Sequence, residues 1–335
     1  MRERLIHLKQ QKNEGAACAK KTSIGGQALI EGIMMRGPKK TALAVRNTSG
    51  EIVVEDFETK GANRPKICRL PIIRGIFGYI DSMTVGYKAL MRSAELSGMS
   101  EVENEDGSSD KLPKWVMTLV TVLSTLLGFA IAIGLFVWLP AQLYAWTLAP
   151  HVTTANAALA SLVKSVFEGV LKILLLVGYM AAISLMKDIR RTFMYHGAEH
   201  KTIFCYEAGL PLTVENVKQQ RRFHPRCGTS FLILMLLVSI FISFFIDPIS
   251  IAISGDVLPT LWRVLVKLLL IPLIVGLGYE LIKFAGRHDN LLTRIISAPG
   301  VALQHITVME PTDEMIECAI KAVEAVIPED DSDRW

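Results

Sequence analysis

The uncharged stretch Trp115-Val-Met-Thr-Leu-Val-Thr-Val-Leu-Ser-Thr-Leu-Leu-Gly-Phe-Ala-Ile-Ala-Ile-Gly-Leu-Phe-Val-Trp138 decides the fold class of this chain. As a helix rising about 1.5 Å per residue, it exceeds the roughly 30 Å hydrocarbon core of a bilayer. No Asp, Glu, Lys or Arg follows before Pro150, and Trp115 and Trp138 bracket the run like an interfacial aromatic pair. Three further runs resemble it: Leu162 to Met186 and Val264 to Ile282, each with a few charges, and Gly228 to Ile246 with none. Four such runs are hard to bury in a soluble fold. Composition agrees, since 51% of the 335 residues are hydrophobic and 20% charged, against about 25% charged in soluble domains. The expectation is a mainly α, polytopic membrane protein: a four-transmembrane-helix bundle with spans at about 115–139, 164–186, 228–246 and 264–284.

Orientation follows from Lys and Arg, which mark the cytosolic side of short loops. Residues 1–114 carry nineteen of them and the 187–228 connection eight, whereas 140–161 and 247–262 carry none. Both termini are therefore expected in the cytosol of a cell-membrane protein. The first twenty residues are polar and basic, without the apolar core of a signal peptide. All five cysteines (Cys18, Cys68, Cys205, Cys227, Cys318) fall on the expected cytosolic side, where ligation or burial is favoured over disulfides. The net charge of +4 restates this topology, so the bilayer and not nucleic acid is the expected partner.

Around the bundle, residues 1–21 read as a disordered basic tail and 22–98 as a small cytosolic or interfacial α+β element. The glycines of Ile24–Pro38 do not fit dinucleotide or phosphate-loop spacings. Thr41–Arg46 and Glu51–Phe57, flanking Asn47-Thr-Ser-Gly50, predict a β-hairpin. Pro71–Leu96 has helical periodicity but too many charges to span, so it is expected along the membrane face or across the cytosolic mouth of the bundle. Residues 99–113 form an acidic linker, and the bundle occupies 114–286 with a cytosolic site loop at 187–227. In the C-terminal segment, 287–335, Ser297-Ala-Pro-Gly300 reads as a turn and Thr312–Ile327 as an amphipathic helix with acids in its first turn.

The sharpest chemical signal is His196-Gly-Ala-Glu199-His200. Helical positions four apart share a face, so two imidazoles can hold one metal with Glu199 beside them as base. Gly197 weakens the helix expectation locally. His224-Pro-Arg-Cys227 adds an H-x-x-C pair on the same connection. The alternatives are solvated histidines at a helix end and a basic helix cap. In the fourth span Glu280, costly if unpaired in lipid, is read as a ligand, as support for a ligand, or as partner of Lys283. Glu168 and Lys172 read as an i,i+4 pair, and Glu207 as a supplement to the site or a solvated loop residue. No serine stands in a nucleophile-elbow context.

Four stretches now permit a comparison: Gly25–Pro38, Tyr195–Thr202, His224-Pro-Arg-Cys-Gly-Thr-Ser-Phe231, and Ala298–Thr307 with Glu310-Pro311. Together they closely resemble the bacterial YqhQ-like family of polytopic membrane proteins, over about residues 22–326. The resemblance implies a cell-membrane location and a metal-dependent activity, with His196, Glu199, His200, His224 and Cys227 as the positions carried over. The chain departs from the family's Leu-Gln-x-Leu-Thr-Thr pattern at Ile306-Thr307-Val308, a detail of one helix face.

The expected function is a zinc-dependent (or other divalent transition metal) hydrolase at the lipid boundary, acting on a membrane peptide or lipid-linked substrate. His196 and His200, with one or two of His224, Cys227 and Glu280, would hold the metal, and Glu199 would be the base. The rival is a non-enzymatic scaffold, partner subunit or transporter with a structural metal site or none. A homo-oligomer is compatible with either reading.

Overall fold

A computed structural model of the chain describes residues 21–59, 65–98, 114–153, 156–288 and 290–334. Nearly all of the basic tail, with His7 and Cys18, lies outside the described residues, as do the acidic linker and Asp289. The protein is mainly helical with one four-stranded antiparallel sheet in the order β1 (Gly25–Leu29), β2 (Gly32–Arg36), β3 (Lys40–Arg46) and β4 (Ile52–Glu58). The expected hairpin is β3–β4, with Val45 opposite Val53. The Gly-rich stretch adds two strands before it. β1 and β2 pair with Leu29 opposite Gly32, and the turn between them carries Glu31 at φ 49°.

Both faces of the central strands β2 and β3 are covered, so these two are apolar almost without alternation, whereas β4 at the edge carries Glu55, Asp56 and Glu58. Helix α1 (Ile73–Leu96) packs Ala89, Val85 and Leu90 on Leu29, Met34, Leu43 and Val45. The opposite face, with Ile33, Met35, Ala42 and Ala44, meets α5 (Lys187–Glu207) and α11 (Asp313–Glu324). The C-terminal helix is amphipathic as expected, and its apolar side (Met315, Ile316, Ala319, Val323) is the centre of this core. Between α5 and α11, α6 (Val214–Lys218) is capped by the Thr213 side chain. Lys187–Glu207 forms one helix despite Gly197, because the glycine is needed there. A Cβ at Gly197 would collide with the Met309 carbonyl, so its absence lets α5 lie against the 309–311 backbone.

The apolar helices extend from this α/β unit. They are α2 (Lys114–Ile133), continued through a π-turn at Gly134–Trp138 into α3 (Leu139–Thr147), then α4 (Ala157–Ile183) and α7 (Gly228–Ser254). Thr118–His151, Leu159–Ile183 and Gly228–Ser254 are each long and apolar enough to cross a membrane. The fourth expected span is broken: α8 (Thr260–Leu269) and α9 (Ile271–Arg287) meet at 46°, where Pro272 starts a new helix. The third run continues past Ile246 through Asp247 and Pro248 to a left-handed Gly255.

Two local expectations change. Ser297–Gly300 is not a turn but the middle of α10 (Leu291–Thr307), which starts at a capping box on Asn290. Close packing holds this helix through Pro299: at Gly300 there is no room for a Cβ against Ser230 of α7. Glu280, on α9, is not paired with Lys283. Its carboxylate takes a bidentate contact from Arg74 and the Ile72 amide, fastening the start of α1 to α9. Ile72 sits at φ 68°, a conformation costly for a β-branched residue, and this carboxylate accepts its N–H.

Candidate metal centre

The centre forms where α5, the N-terminus of α7, the end of α10 and strand β1 converge. His196 and His200 lie one turn apart on α5 with ring centroids 4.4 Å apart. Cys227 is the N-cap of α7, its sulfur accepting from the Thr229 amide. His196, His200 and Cys227 place one ligand atom each within 4.8 Å of the others, the one such group among the described residues. The Cys227 loop is held by a fully buried Gln304, which accepts from the His224 amide and donates to the His224 carbonyl and the Ser230 hydroxyl.

The ring nitrogens show how these histidines are set. His196 Nδ1 lies 3.0 Å from the Thr307 carbonyl, and His200 Nδ1 lies 2.6 Å from the Arg222 carbonyl. A carbonyl only accepts, so both Nδ1 atoms carry protons and a neutral ring presents its lone pair at Nε2. His196 Nε2 faces the Cys227 sulfur at 3.0 Å. His200 Nε2 is buried without a hydrogen-bond partner. Such an anchored imidazole, its free nitrogen turned to a thiolate, is how metal-ligating histidines are oriented.

Glu199 projects beside them. Oε1 accepts from the Gly26 amide of β1 at 3.1 Å, while Oε2 is buried with no partner. Burial pushes its carboxyl above the usual range, although His196 and His200 oppose that rise. Burial alone would raise the Cys227 thiol, but His196 and His200 hold it well below its ordinary value. Burial presses the His196 imidazole down, yet the facing thiolate outweighs it and lifts the ring to about 9. Glu199, His200 and Cys227 line a cavity of about 470 Å³ together with Gly25, Gly26 and Gln27.

Two residues expected at the centre are engaged differently. His224 Nδ1 accepts from the Arg226 amide at 3.2 Å, which turns Nε2 toward Glu207 at 4.0 Å. It lines the same cavity but is outside the three-residue group. Glu280 is also outside that group. Glu207 is not a solvated loop residue: it is buried, paired with Arg226 and accepting from the Thr22 amide. Gly26, Gln304 and Thr307 lie in stretches that carry the family resemblance, but no residue spacing marks them as parts of the centre. Thr307 meets His196 through its backbone carbonyl.

The chain was compared with known proteins. The model of the family described as "Protein of unknown function (DUF1385)" matches residues 70–329. The "Uncharacterized protein YqhQ" of Bacillus subtilis (strain 168) is 32% identical over 305 residues, covering 89% of this chain and 90% of that protein. No solved structure matches.

Proposed function

The chain belongs to the DUF1385 family, and from this footing we propose that it is a cell-membrane metal hydrolase with both termini and its metal centre on the cytosolic side. The carrying observation is the pair of histidines whose Nδ1–H groups are tied to carbonyls, leaving one Nε2 on the Cys227 sulfur and the other buried without a partner. Two nitrogen donors and a thiolate suit zinc or a similar divalent transition ion, and three protein ligands leave a position open, as in catalytic sites. When bound, the ion supplies a water acidic enough to lose its proton near neutral pH.

The chain's own residues do the rest. Glu199 Oε2 is without a partner, and its raised affinity for a proton suits it to accept one. The Gly26 amide fixes the other oxygen and so aims the carboxylate. The cavity between β1 and the α7 N-terminus receives the substrate, a membrane peptide or lipid-linked molecule in keeping with apolar helices beside the site. Metal analysis of protein purified without chelator should return about one zinc or comparable ion per chain. Glu199→Gln should keep that ion and lower hydrolysis of such a substrate by about 10²- to 10⁴-fold. Wild-type protein without a bound transition metal would remove the proposal.

The membrane reading has its own test. Lys and Arg are dense at 187–228 and missing from 140–161 and 247–262. Reporters inserted between Val214 and Gln220, or fused at the C-terminus, should therefore report the cytosol. One inserted between Thr153 and Ala158 should be exported. Export of the 214–220 reporter would put the centre on the wrong side for this proposal.

A further inference from the structure

Far from the metal centre, α4, α7 and α8 turn polar stripes toward one another. Ser161, Lys164, Ser165, Glu168 and Lys172 follow helical spacing on α4, Ser243 and Asp247 on α7, and Arg263 and Lys267 on α8. Asp247 is twenty residues beyond Cys227 along α7, about 30 Å at the helical rise. At one end of this cluster the charges are matched: buried Asp247 pairs with Arg263 and takes the Ser161 hydroxyl.

At the other end they are not. Three ammonium groups share the single carboxylate of Glu168: Lys164 at 3.9 Å, Lys172 at 3.9 Å and Lys267 at 3.6 Å. None is close enough to donate a normal hydrogen bond to it. These side chains are largely enclosed, at 7% exposure for Glu168 and 12, 19 and 23% for Lys172, Lys267 and Lys164. The Arg263 Nε is also buried without a partner. Four cations face two carboxylates, an excess of two positive charges among helices whose outer surfaces are apolar. An excess of that kind is costly in hydrocarbon unless something negative joins it.

We propose that this cluster is a second site, which binds the phosphate group of an anionic membrane lipid through Lys164, Lys172 and Lys267. Ammonium donors without hydrogen bonds to Glu168 match phosphate oxygens, which take charge-assisted bonds. A lipid is favoured over free phosphate because the same turns expose Leu162, Val166, Leu261, Trp262 and Leu265, a surface for acyl chains. The lipid part rests on the membrane reading above; the phosphate chemistry does not.

The test uses the full chain in detergent, titrated separately with dioleoyl phosphatidylglycerol, dioleoyl phosphatidylcholine and inorganic phosphate, with bound ligand read by native mass spectrometry. Wild type should bind phosphatidylglycerol at least tenfold more tightly than phosphatidylcholine. The double variant Lys172→Gln with Lys267→Gln should lose at least tenfold of that affinity. Glu168→Gln, which removes the competing carboxylate, should bind severalfold more tightly; it keeps the test decisive if the double variant does not fold. Lysine-dependent binding of inorganic phosphate as tight as that of the lipid would keep the anion site and overturn the lipid assignment. Equal phosphatidylglycerol affinity in wild type and both variants would overturn the site. A chain that stays soluble without detergent would instead refute the membrane reading, so the two failures are distinguishable.

Discussion

Replacing His200 by alanine is expected to lower the affinity for the bound metal by about a hundredfold or more, beyond the 10- to 100-fold typical of losing a supporting residue. The reason is the small donor set. His196, His200 and Cys227 form the three-residue group, so each loss leaves two protein ligands. Cys227→Ser should have a comparable effect while sparing the fold, because serine also caps a helix and can accept from the Thr229 amide. His224→Ala is the informative contrast. Its Nδ1 is occupied by the Arg226 amide and its Nε2 faces Glu207, so metal content should stay near wild type. Full metal content in His200→Ala, or loss confined to His224→Ala, would refute the assignment.

The second large effect concerns the buried Glu207–Arg226 pair. Glu207→Ala should destabilise the protein by about 1–3 kcal/mol, the range for removing a hydrogen-bonding partner from a charged group and from a buried amide. Arg226 would keep the Thr22 carbonyl but lose its carboxylate, and the Thr22 amide would lose its acceptor. The same cluster predicts acid sensitivity. Burial, helped by Arg226 and His200, outweighs Glu207 and depresses His224 to about 4. The unfolded chain, with a histidine near 6.5, binds more protons across this window. Stability is therefore retained above pH 6.5 and falls toward pH 4, by about 3 kcal/mol at roughly 1.4 kcal/mol per unit. Glu207 acts in the same direction at lower pH, since His224 and Arg226 outweigh its burial and hold it below the ordinary carboxylate value. Thermal unfolding in detergent at pH 7 and pH 4.5 should show the loss, and His224→Phe should flatten it. An unchanged slope in His224→Phe would assign the acid sensitivity elsewhere.

The legible features were local in the chain. Four apolar runs, the i,i+4 spacing of His196 and His200, the β3–β4 hairpin and the acidic start of the C-terminal helix each express a period or turn within a few residues. The Gly-rich strands β1 and β2 were less legible, since β2 is covered on both faces and alternation is lost there. Gly197 and the Ser297–Gly300 stretch looked like weak points by propensity. Each is helical because a neighbouring backbone comes too close for any larger residue.

By itself, the sequence determined that apolar helices dominate, and that two histidines and a cysteine lie on one polar connection between them. It also marked Glu199 as the acid beside them. Tertiary structure alone decided the partners: Glu280 for Arg74 across 206 positions, Glu199 for the Gly26 amide across 173, and Gln304 for the His224 backbone across 80. A one-dimensional pattern records which side chains need a partner, because burial of a charge or a lone pair is costly wherever it occurs. Which partner meets that need depends on the packing of α1 on α9, of β1 on α5 and of α10 on α7. Close packing between elements distant in sequence sets those meetings.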